Sequence, residues 1–446
     1  MKASGFLKIA EFFKIAERGS SIRIEVLGGV TTFASMAYII VVNPAILQVA
    51  GIPIAPSTIA TILTAVFGCV LMGLLANRPI AVAPYMGENA FIAFGLSAFG
   101  LTWQERLGSV FVAGVVFLLI TLFGLRQWLA ESISKSMKHA FAVGIGLFLS
   151  FIGLYETGII ASGAPAVPVK IGDFRSPDVL LAILGFLLIS FLLVRKIKGA
   201  ILLGIILCGT IGILLGRGAP LKGIATIPFL GEYSLEPIAF HLDILGVLQW
   251  SLFPVLLTLV LMAFLDTTGT LLGLGAVGGM LDEKGEFPEV QKPMFVDALS
   301  CMFAALVGTS TSGAYIESAT GIREGARTGL AALVTGGLFF ASLFFIPLIE
   351  PFQSLKFAYY PALIVVGALM MTSLKEIETN DWTEVIPAFA TIALMVFTYN
   401  IADGLTAGLL LYPIMKAVAG KYREIRPGML VLAGLCLIYY LFGLPH

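Results

Sequence analysis

The chain has 446 residues, of which 58% are hydrophobic and 12% are charged, and its mean hydropathy is +0.99. Soluble domains carry roughly a quarter charged residues, so this composition excludes a water-soluble globular protein. The 27 basic residues balance the 27 acidic ones, and the net charge therefore predicts no nucleic-acid partner. The four cysteines lie singly in apolar segments, which favours neither disulfides nor a metal site.

The N-terminal segment, 1–21, is basic and amphipathic. Apolar residues recur at helical spacing between Phe6 and Arg18, which predicts a helix lying on the membrane surface. The segment lacks the short apolar region and small-residue cleavage site of a signal peptide, so we expect none to be removed.

Apolar stretches long enough to cross a hydrocarbon core of about 30 Å follow one another from Ile22 onward. Breaks at Pro, Gly and charge clusters divide them into two sets, separated by a polar extracytoplasmic loop at 218–245. The first set is 22–42, 56–76, 83–99, 105–124, 136–155, 177–195 and 199–217. The second set is 247–273, 292–309, 313–326, 327–350, 357–374, 382–400 and 404–419. The sequence thus predicts an all-α polytopic membrane protein with 14 transmembrane segments, and a last apolar run, 428–444, is left over.

The distribution of charge supports this segmentation. Loops rich in Lys and Arg remain in the cytoplasm, and with a cytoplasmic N-terminus most of the 27 basic residues fall on that side. A wrong number of segments would invert the assignment downstream of the error. We therefore expect a multi-pass protein of the cell (inner) membrane whose solvent is the lipid bilayer.

Seven segments per half is an odd number, so the second half must enter the membrane from the opposite side, as in inverted repeats. Weak self-similarity supports such a repeat. Arg106-Leu-Gly108 aligns with Arg327-Thr-Gly329 at an offset of 221 residues, and an offset of 229 places Glu88-Asn-Ala90 on Glu317-Ser-Ala319. The sequence thus favours a 7+7 inverted repeat.

Segments 3 and 10 are short and interrupted by polar residues. In lipid, irregular backbone survives only where protein or a water-filled cavity satisfies its polar groups. A matched pair of broken segments therefore predicts the substrate site. Half-helices beginning near Gly87 and Ile316 would direct backbone amides and positive dipole ends at a ligand near the membrane midplane.

Two carboxyl groups within the spans are candidates for substrate binding, because ionisable groups in a membrane are costly unless paired, protonated or hydrated. Asp266 lies in the middle of segment 8, with Thr270 one turn away. It could alternate between carrying a proton and accepting ring N–H hydrogen bonds, or bridge two helices as a protonated acid. Glu317 could accept two parallel hydrogen bonds from a planar heterocycle, or instead pair with Arg323 or cap its own helix.

Asp266 and Glu317 are also candidates for proton coupling, together with two further acids. Glu88 occupies the place in the first half that is equivalent to Glu317, and it is either a second proton site or part of an ion pair beside Arg78. Asp297 begins segment 9, where it either serves the proton pathway or caps and pairs locally. The residue types alone leave both alternatives open.

Other side chains near the breaks suit a flat ligand. Asn89 carries both a donor and an acceptor, which fits either a purine edge or an interhelical tie, and Phe91 could stack on a base or pack in the core. No histidine cluster supports a metal site, and no phosphate-binding loop supports ATP hydrolysis. We expect no cofactor and no enzymatic activity, with an ion gradient as the energy source.

Nine strings occur in order along nearly the whole chain: EVLGGVTTF (25–33), MAYII (36–40), VNPAIL (42–47), DTTGTL (266–271), GTST (308–311), YIESA (315–319), PALI (361–364), IPAF (386–389) and YNIADG (399–404). Together they resemble the AzgA-like adenine/hypoxanthine/guanine permeases, a branch of the nucleobase–ascorbate transporter superfamily. The resemblance implies a core domain, a gate domain that often forms a homodimer, and proton symport by an elevator-like movement of the core. The core would comprise 22–135 and 246–350, and the gate 136–217 and 351–446.

The resemblance also implies where a base is held. The acids of segments 8 and 10, here Asp266 and Glu317, would bind it between them. Main-chain contacts would come from the two breaks, here Ile316 and Ala90. Thr270 falls on a further position on the ligand side.

The family pattern marks the segment-3 Asn and the segment-9 Asp, here Asn89 and Asp297, as functionally important. Glu88 departs from the pattern, because an apolar residue usually precedes that Asn, and the change bears on proton stoichiometry or substrate choice. The run 428–444 is also additional. Either it lies along the membrane or the boundaries within 382–419 need revision.

The main prediction is a secondary transporter that imports purine nucleobases together with protons by alternating access. The alternative is a uracil, xanthine or anion carrier of the same 7+7 fold. Two acids at one site repel an anion unless both are protonated, which disfavours the anion carrier. A site enclosed between two repeats favours alternating access over a channel.

Overall fold

The computed structural model describes residues 8, 10–164, 167–218, 223–282 and 287–442. Over these residues the protein is mostly helical, and nine of its helices are long and apolar enough to cross a membrane. They are Ile22–Ala50, Ile54–Ala76, Trp103–Leu122, Lys135–Glu156, Pro177–Val194, Trp250–Gly278, Gly329–Gln353, Lys356–Glu376 and Ile401–Val418. The chain is therefore a polytopic membrane protein.

The helices fall on both sides of the polar loop at 218–245. In the first half they are α1 (Ile22–Met36), α2 (Ile39–Leu47), α3 (Ile54–Leu71), α4 (Met86–Ala93), α5 (Trp103–Leu122), α6 (Leu125–Ser132), α7 (Lys135–Glu156), α8 (Pro177–Val194) and α9 (Ala200–Leu214). From the end of that loop onward they are α10 (Ile244–Val247), α11 (Phe253–Gly278), α12 (Gln291–Val307), α13 (Ser318–Arg323), α14 (Gly329–Ser342), α15 (Ile346–Gln353), α16 (Lys356–Met370), α17 (Trp382–Phe397), α18 (Ile401–Val418) and α19 (Pro427–Phe442).

Four short strands interrupt the all-helical architecture that the sequence predicts. They are β1 (Val82–Pro84), β2 (Ile160–Ser162), β3 (Val169–Ile171) and β4 (Ser312–Ala314). β1 pairs antiparallel with β4, and β2 with β3. Each predicted break is thus a strand followed by a short helix, β1–α4 and β4–α13. Backbone that leaves a helix inside a membrane still needs hydrogen-bond partners, and the two breaks supply them to each other.

Helices at corresponding positions in the two halves make corresponding contacts. α3 packs against α14 as α12 packs against α5, and α7 packs against α17 as α16 packs against α8. Two groups of helices result, one formed by α1–α5 with α11–α15 and the other by α7–α9 with α16–α18. The β1–β4 pair lies inside the first group, where it contacts α3 and α12.

The N-terminal segment differs from the predicted surface helix. From residue 13 to residue 19 the chain forms turns, and Phe13 and Ile15 are buried in the protein. Arg18 donates hydrogen bonds to main-chain carbonyl groups of two neighbouring loops. These two side chains are thus buried against the protein, whereas Phe12 and Ala16 are exposed. Phe6 and Ile9 of the predicted helix lie outside the described residues.

The additional apolar run forms α19. This helix packs against α18 and also contacts α11. Near its C-terminal end, the Tyr440 hydroxyl donates to the carbonyl oxygen of Asp403, which lies in the first turn of α18, at 3.1 Å. The two helices are therefore antiparallel, and α19 runs back alongside α18.

Candidate functional site

The two breaks meet at a crossing that hydrogen bonds hold on both sides. Beyond the strand register, the Tyr85 N–H donates to the Thr311 carbonyl at 3.0 Å, and the Tyr315 N–H donates to the Ala81 carbonyl at 2.9 Å. The Tyr315 hydroxyl donates to the Pro84 carbonyl at 2.6 Å. The two tyrosine rings are nearly parallel, with centroids 6.4 Å apart. α4 and α13 therefore start from one fixed crossing.

Asp297 connects this crossing to α11. One carboxylate oxygen, Oδ2, accepts from the Thr267 hydroxyl at 2.9 Å and from the Ala314 N–H of β4 at 3.1 Å. Thr267 uses its single proton in that bond, so the Tyr85 hydroxyl, 3.1 Å away, must donate to Thr267. Asp297 is buried two turns inside α12, not at its start. It fixes the backbone of the second break relative to α11 and α12.

Glu88 lies on α4 and is fully buried. Within the described part of the chain, neither of its carboxylate oxygens has a hydrogen-bond partner, although the Thr311 hydroxyl lies beside it. Its charge interacts with those of Asp266 and Asp297. Arg78 instead donates to the Pro288 carbonyl at 2.9 Å. Three acids thus lie close together around the crossing of the breaks.

Glu317 is held differently. It is half-buried and accepts a hydrogen bond from the Tyr38 hydroxyl at Oε1, with a donor–acceptor distance of 2.7 Å. Its side chain makes no capping bond to α13. The described contact of this acid is therefore with the first span, at the turn between α1 and α2.

One face of α11 becomes more exposed toward the C-terminal end of the helix. Met262, one turn before Asp266 on that face, is buried, whereas Asp266, Thr270 and Gly273 are half-buried and Gly269 is exposed. We call the surface formed by the last four residues the open face of α11. Ile316, a further candidate, lies next to it.

The side chain of Ile316 joins the second break to this surface. It is 52% exposed, and its Cδ1 lies 3.5 Å from the position that a Cβ on Gly273 would occupy. Glu317, the next residue, is half-buried. The structure therefore places Ile316 beside the Gly273 end of the open face of α11, which also carries Asp266 and Thr270.

The predicted residues of α4 are more deeply buried than those of α11. Asn89, Ala90 and Phe91 are completely buried. The Asn89 amide donates to Asn43 Oδ1 at 2.7 Å, and Asn43 in turn donates to hydroxyls of α3 and of the loop before β4, at 2.8 Å each. In this conformation Asn89 ties helices together, and Phe91 packs in the core.

Sequence reasoning missed four residues that hold the site, namely Tyr38, Asn43, Tyr85 and Thr267. Asn43 carried a usable signal, since an amide within an apolar span needs partners. Tyr38 and Tyr85 carried no such signal, because a tyrosine in an apolar span can simply pack its ring in the core without any role for its hydroxyl. Among the described residues, no group of three or more His, Cys, Asp or Glu side chains is arranged to hold a metal ion.

Comparisons with known proteins give the family. A model described as "Permease family" matches residues 23–441. The chain is 38% identical over 446 residues to the adenine permease AdeP of Escherichia coli (strain K12), covering 100% of this chain and 98% of AdeP. It is 38% identical over 426 residues to the guanine/hypoxanthine permease PbuO of Bacillus subtilis (strain 168), covering 94% of this chain and 98% of PbuO.

A solved structure supports the same fold. The transmembrane domain of the cyanobacterium bicarbonate transporter BicA superposes with a TM-score of 0.61 at 16% identity, over 85% of this chain and 97% of that one. Identity at this level carries information on fold alone. The sequence matches show the family. The chain belongs to this permease family, in its AzgA-like branch of purine permeases, and is therefore a membrane transporter and not an enzyme.

Proposed function

We propose that this protein imports purine nucleobases by proton symport, with the base bound between α11 and the second break. The observation that carries the proposal is the open face of α11, which carries the half-buried Asp266 and Thr270 and lies beside Ile316, the residue before the half-buried Glu317. Carboxylates there can accept hydrogen bonds from the N–H groups of a purine ring. AdeP and PbuO, whose names give adenine and guanine/hypoxanthine as substrates, supply the substrate class.

The proton pathway uses the acids behind this surface. Glu88, Asp266 and Asp297 interact through their charges, and like charges in a poorly hydrated site cannot all be ionised at low cost. Protonation of one member therefore depends on the others. Asp266, the half-buried member, exchanges protons at the open face of α11, and Glu88 is the inner member that stores one.

The movement is an elevator-type alternating access in a 7+7 inverted repeat of 14 segments. The first group of helices is the moving core, and the second is the gate, through which two copies form a homodimer. The corresponding contacts of the two halves support the repeat. With the N-terminus in the cytoplasm, α11 ends on the cytoplasmic side, so the open face of α11 corresponds to an inward-open state in the cell (inner) membrane.

Uptake into vesicles tests the proposal. Membrane vesicles bearing the protein are given radiolabelled adenine, hypoxanthine, guanine or uracil, with and without an inward proton gradient. We expect accumulation of at least one purine, driven by the gradient and abolished by a protonophore. Accumulation that is insensitive to the protonophore but requires sodium would show that sodium is the coupling ion. Selective accumulation of uracil would contradict the substrate class.

The alternative anion carrier is not favoured. BicA has the same fold, but folds host many substrates. An anion bound at Asp266 and Glu317 would be repelled by both acids unless they were protonated. Uptake of labelled bicarbonate in the same vesicles, without uptake of any base, would favour that alternative.

A further inference from the structure

Tyr38 makes a contact that the transport proposal does not use. It lies at the turn between α1 and α2, in the first span, and its side chain is 1% exposed. Its hydroxyl donates to Glu317 Oε1 at 2.7 Å, although the two residues are 279 positions apart in the chain. A buried phenol that reaches a half-buried carboxylate fixes the rotamer of that carboxylate.

The hydrogen bond from Tyr38 uses one carboxylate oxygen of Glu317. The other oxygen can still accept hydrogen bonds. A carboxylate can accept about four hydrogen bonds over its two oxygens. A tyrosine donor, unlike Lys or Arg, brings no charge and therefore does not neutralise the acid. Glu317 is thus oriented and still able to receive N–H donors from a ligand on the accessible side. Such preorganisation improves affinity because less side-chain freedom is lost on binding.

The first half of the chain lacks this arrangement. The offset of 229 residues that aligns Glu88 with Glu317 also aligns Tyr38 with Thr267. The Thr267 hydroxyl donates to Asp297, and the oxygens of Glu88 have no hydrogen-bond partner among the residues described. The two acids at equivalent positions therefore have different surroundings. Glu317 is oriented by a hydrogen bond and partly exposed, whereas Glu88 is buried.

We propose that Tyr38 is a positioning residue that orients Glu317 towards the N–H edge of a planar, nitrogen-containing heterocycle and thereby sets the affinity for it. The inference rests on the proposed function, since it takes a nucleobase as the ligand. Tyr38 acts through Glu317 and does not touch the base. Removing its hydroxyl weakens binding without removing the carboxylate.

Equilibrium binding of labelled adenine, hypoxanthine and guanine to the purified full-length protein tests this role. We expect Tyr38→Phe to bind its preferred base about 10-fold more weakly, the size of one lost hydrogen bond to a charged group, with an unchanged size-exclusion profile. The matched control is Tyr412→Phe, which removes a hydroxyl that donates to Glu384 at 3.0 Å between α18 and α17. That variant keeps wild-type affinity.

A double-mutant cycle separates positioning from a general structural effect. In a Glu317→Gln background, Tyr38→Phe should change affinity by less than about twofold, because the residue through which it acts has lost its charge. Tyr38→His keeps a ring N–H donor and should recover part of the affinity. It also tests the role of the donor if the phenylalanine variant does not fold.

The outcomes distinguish the two proposals. Wild-type binding of a purine together with unchanged affinity in Tyr38→Phe overturns the positioning role alone. Equal losses in the wild-type and Glu317→Gln backgrounds also overturn it. Failure of the folded wild type to bind any purine contradicts the proposed function, and the positioning role with it.

Discussion

Glu88 and Glu317 illustrate how residues of one type take different roles through their surroundings. Both lie beside the crossing of the breaks, yet Glu88 is completely buried and Glu317 is half-exposed with a tyrosine donor. Burying a charged carboxylate that lacks hydrogen bonds costs several kcal/mol. Burying the neutral, protonated acid costs less. In the proposed proton pathway, a proton at Glu88 would therefore be held until the neighbouring acids change state.

Glu88→Gln tests this role. The amide has nearly the shape of a protonated carboxyl, so we expect normal folding and thermal stability but no gradient-driven accumulation. Exchange of labelled for unlabelled base across the membrane should persist, because exchange needs binding and movement without net proton transfer. Both are measured in the same proteoliposomes.

The control for this variant is Glu289→Gln, at an exposed position where the carboxylate pairs with the nearby Lys292. Exposed pairs contribute little, so that variant should behave as the wild type. Full uphill accumulation by Glu88→Gln would remove Glu88 from the proton pathway.

At the scale of elements, the β1–β4 pair depends on one close approach. A Cβ at Gly313 would lie 2.3 Å from the Tyr85 ring, well inside any contact distance. Tyr85 is in turn fixed by its hydroxyl contact with Thr267. The ring cannot move aside without losing that hydrogen bond, so the position requires glycine for space, not for backbone conformation.

We predict that Gly313→Ala lowers the free energy of unfolding by about 1–3 kcal/mol, the usual cost of overpacking, and weakens substrate binding as the crossing shifts. The measurement is thermal unfolding in detergent with and without base. Gly337→Ala is the matched control, because a Cβ there meets no atom within 4 Å and alanine favours a helix. Equal stability of the two variants would contradict the packing argument.

At the scale of the whole molecule, the two groups of helices are joined by an ion pair. Lys198, in the loop between α8 and α9, lies 2.6 Å from Glu324 at the end of α13. Lys356 and Glu156, 2.8 Å apart, form a similar pair inside the second group, between α16 and α7. If the first group slides against the second, only the Lys198–Glu324 pair must break.

Cross-linking distinguishes these two pairs. Lys198→Cys with Glu324→Cys, joined by a short bifunctional reagent that a reductant can cleave, should lose nearly all uptake and regain it on reduction. Lys356→Cys with Glu156→Cys, joined in the same way, should remain active. The native cysteines in the described structure are buried and will not react. Full activity of the first cross-linked pair would contradict an elevator movement.

The sequence by itself determined the membrane class, because apolar length and charge bias act locally and need no knowledge of packing. It also located both breaks, since polar residues within an apolar span are visible in one dimension. It singled out Asp266 and Glu317 for the same reason, and the structure places both next to an accessible surface.

Only the tertiary structure decided which of these groups meet. The β1–β4 pairing, the Tyr38–Glu317 contact and the burial of Asn89 and Phe91 join residues tens to hundreds of positions apart. The antiparallel course of α19 and the burial of Phe13 and Ile15 likewise depend on partners distant in sequence. Hydrogen bonds and close packing are short-ranged in space, so a linear pattern cannot specify them until the chain has folded.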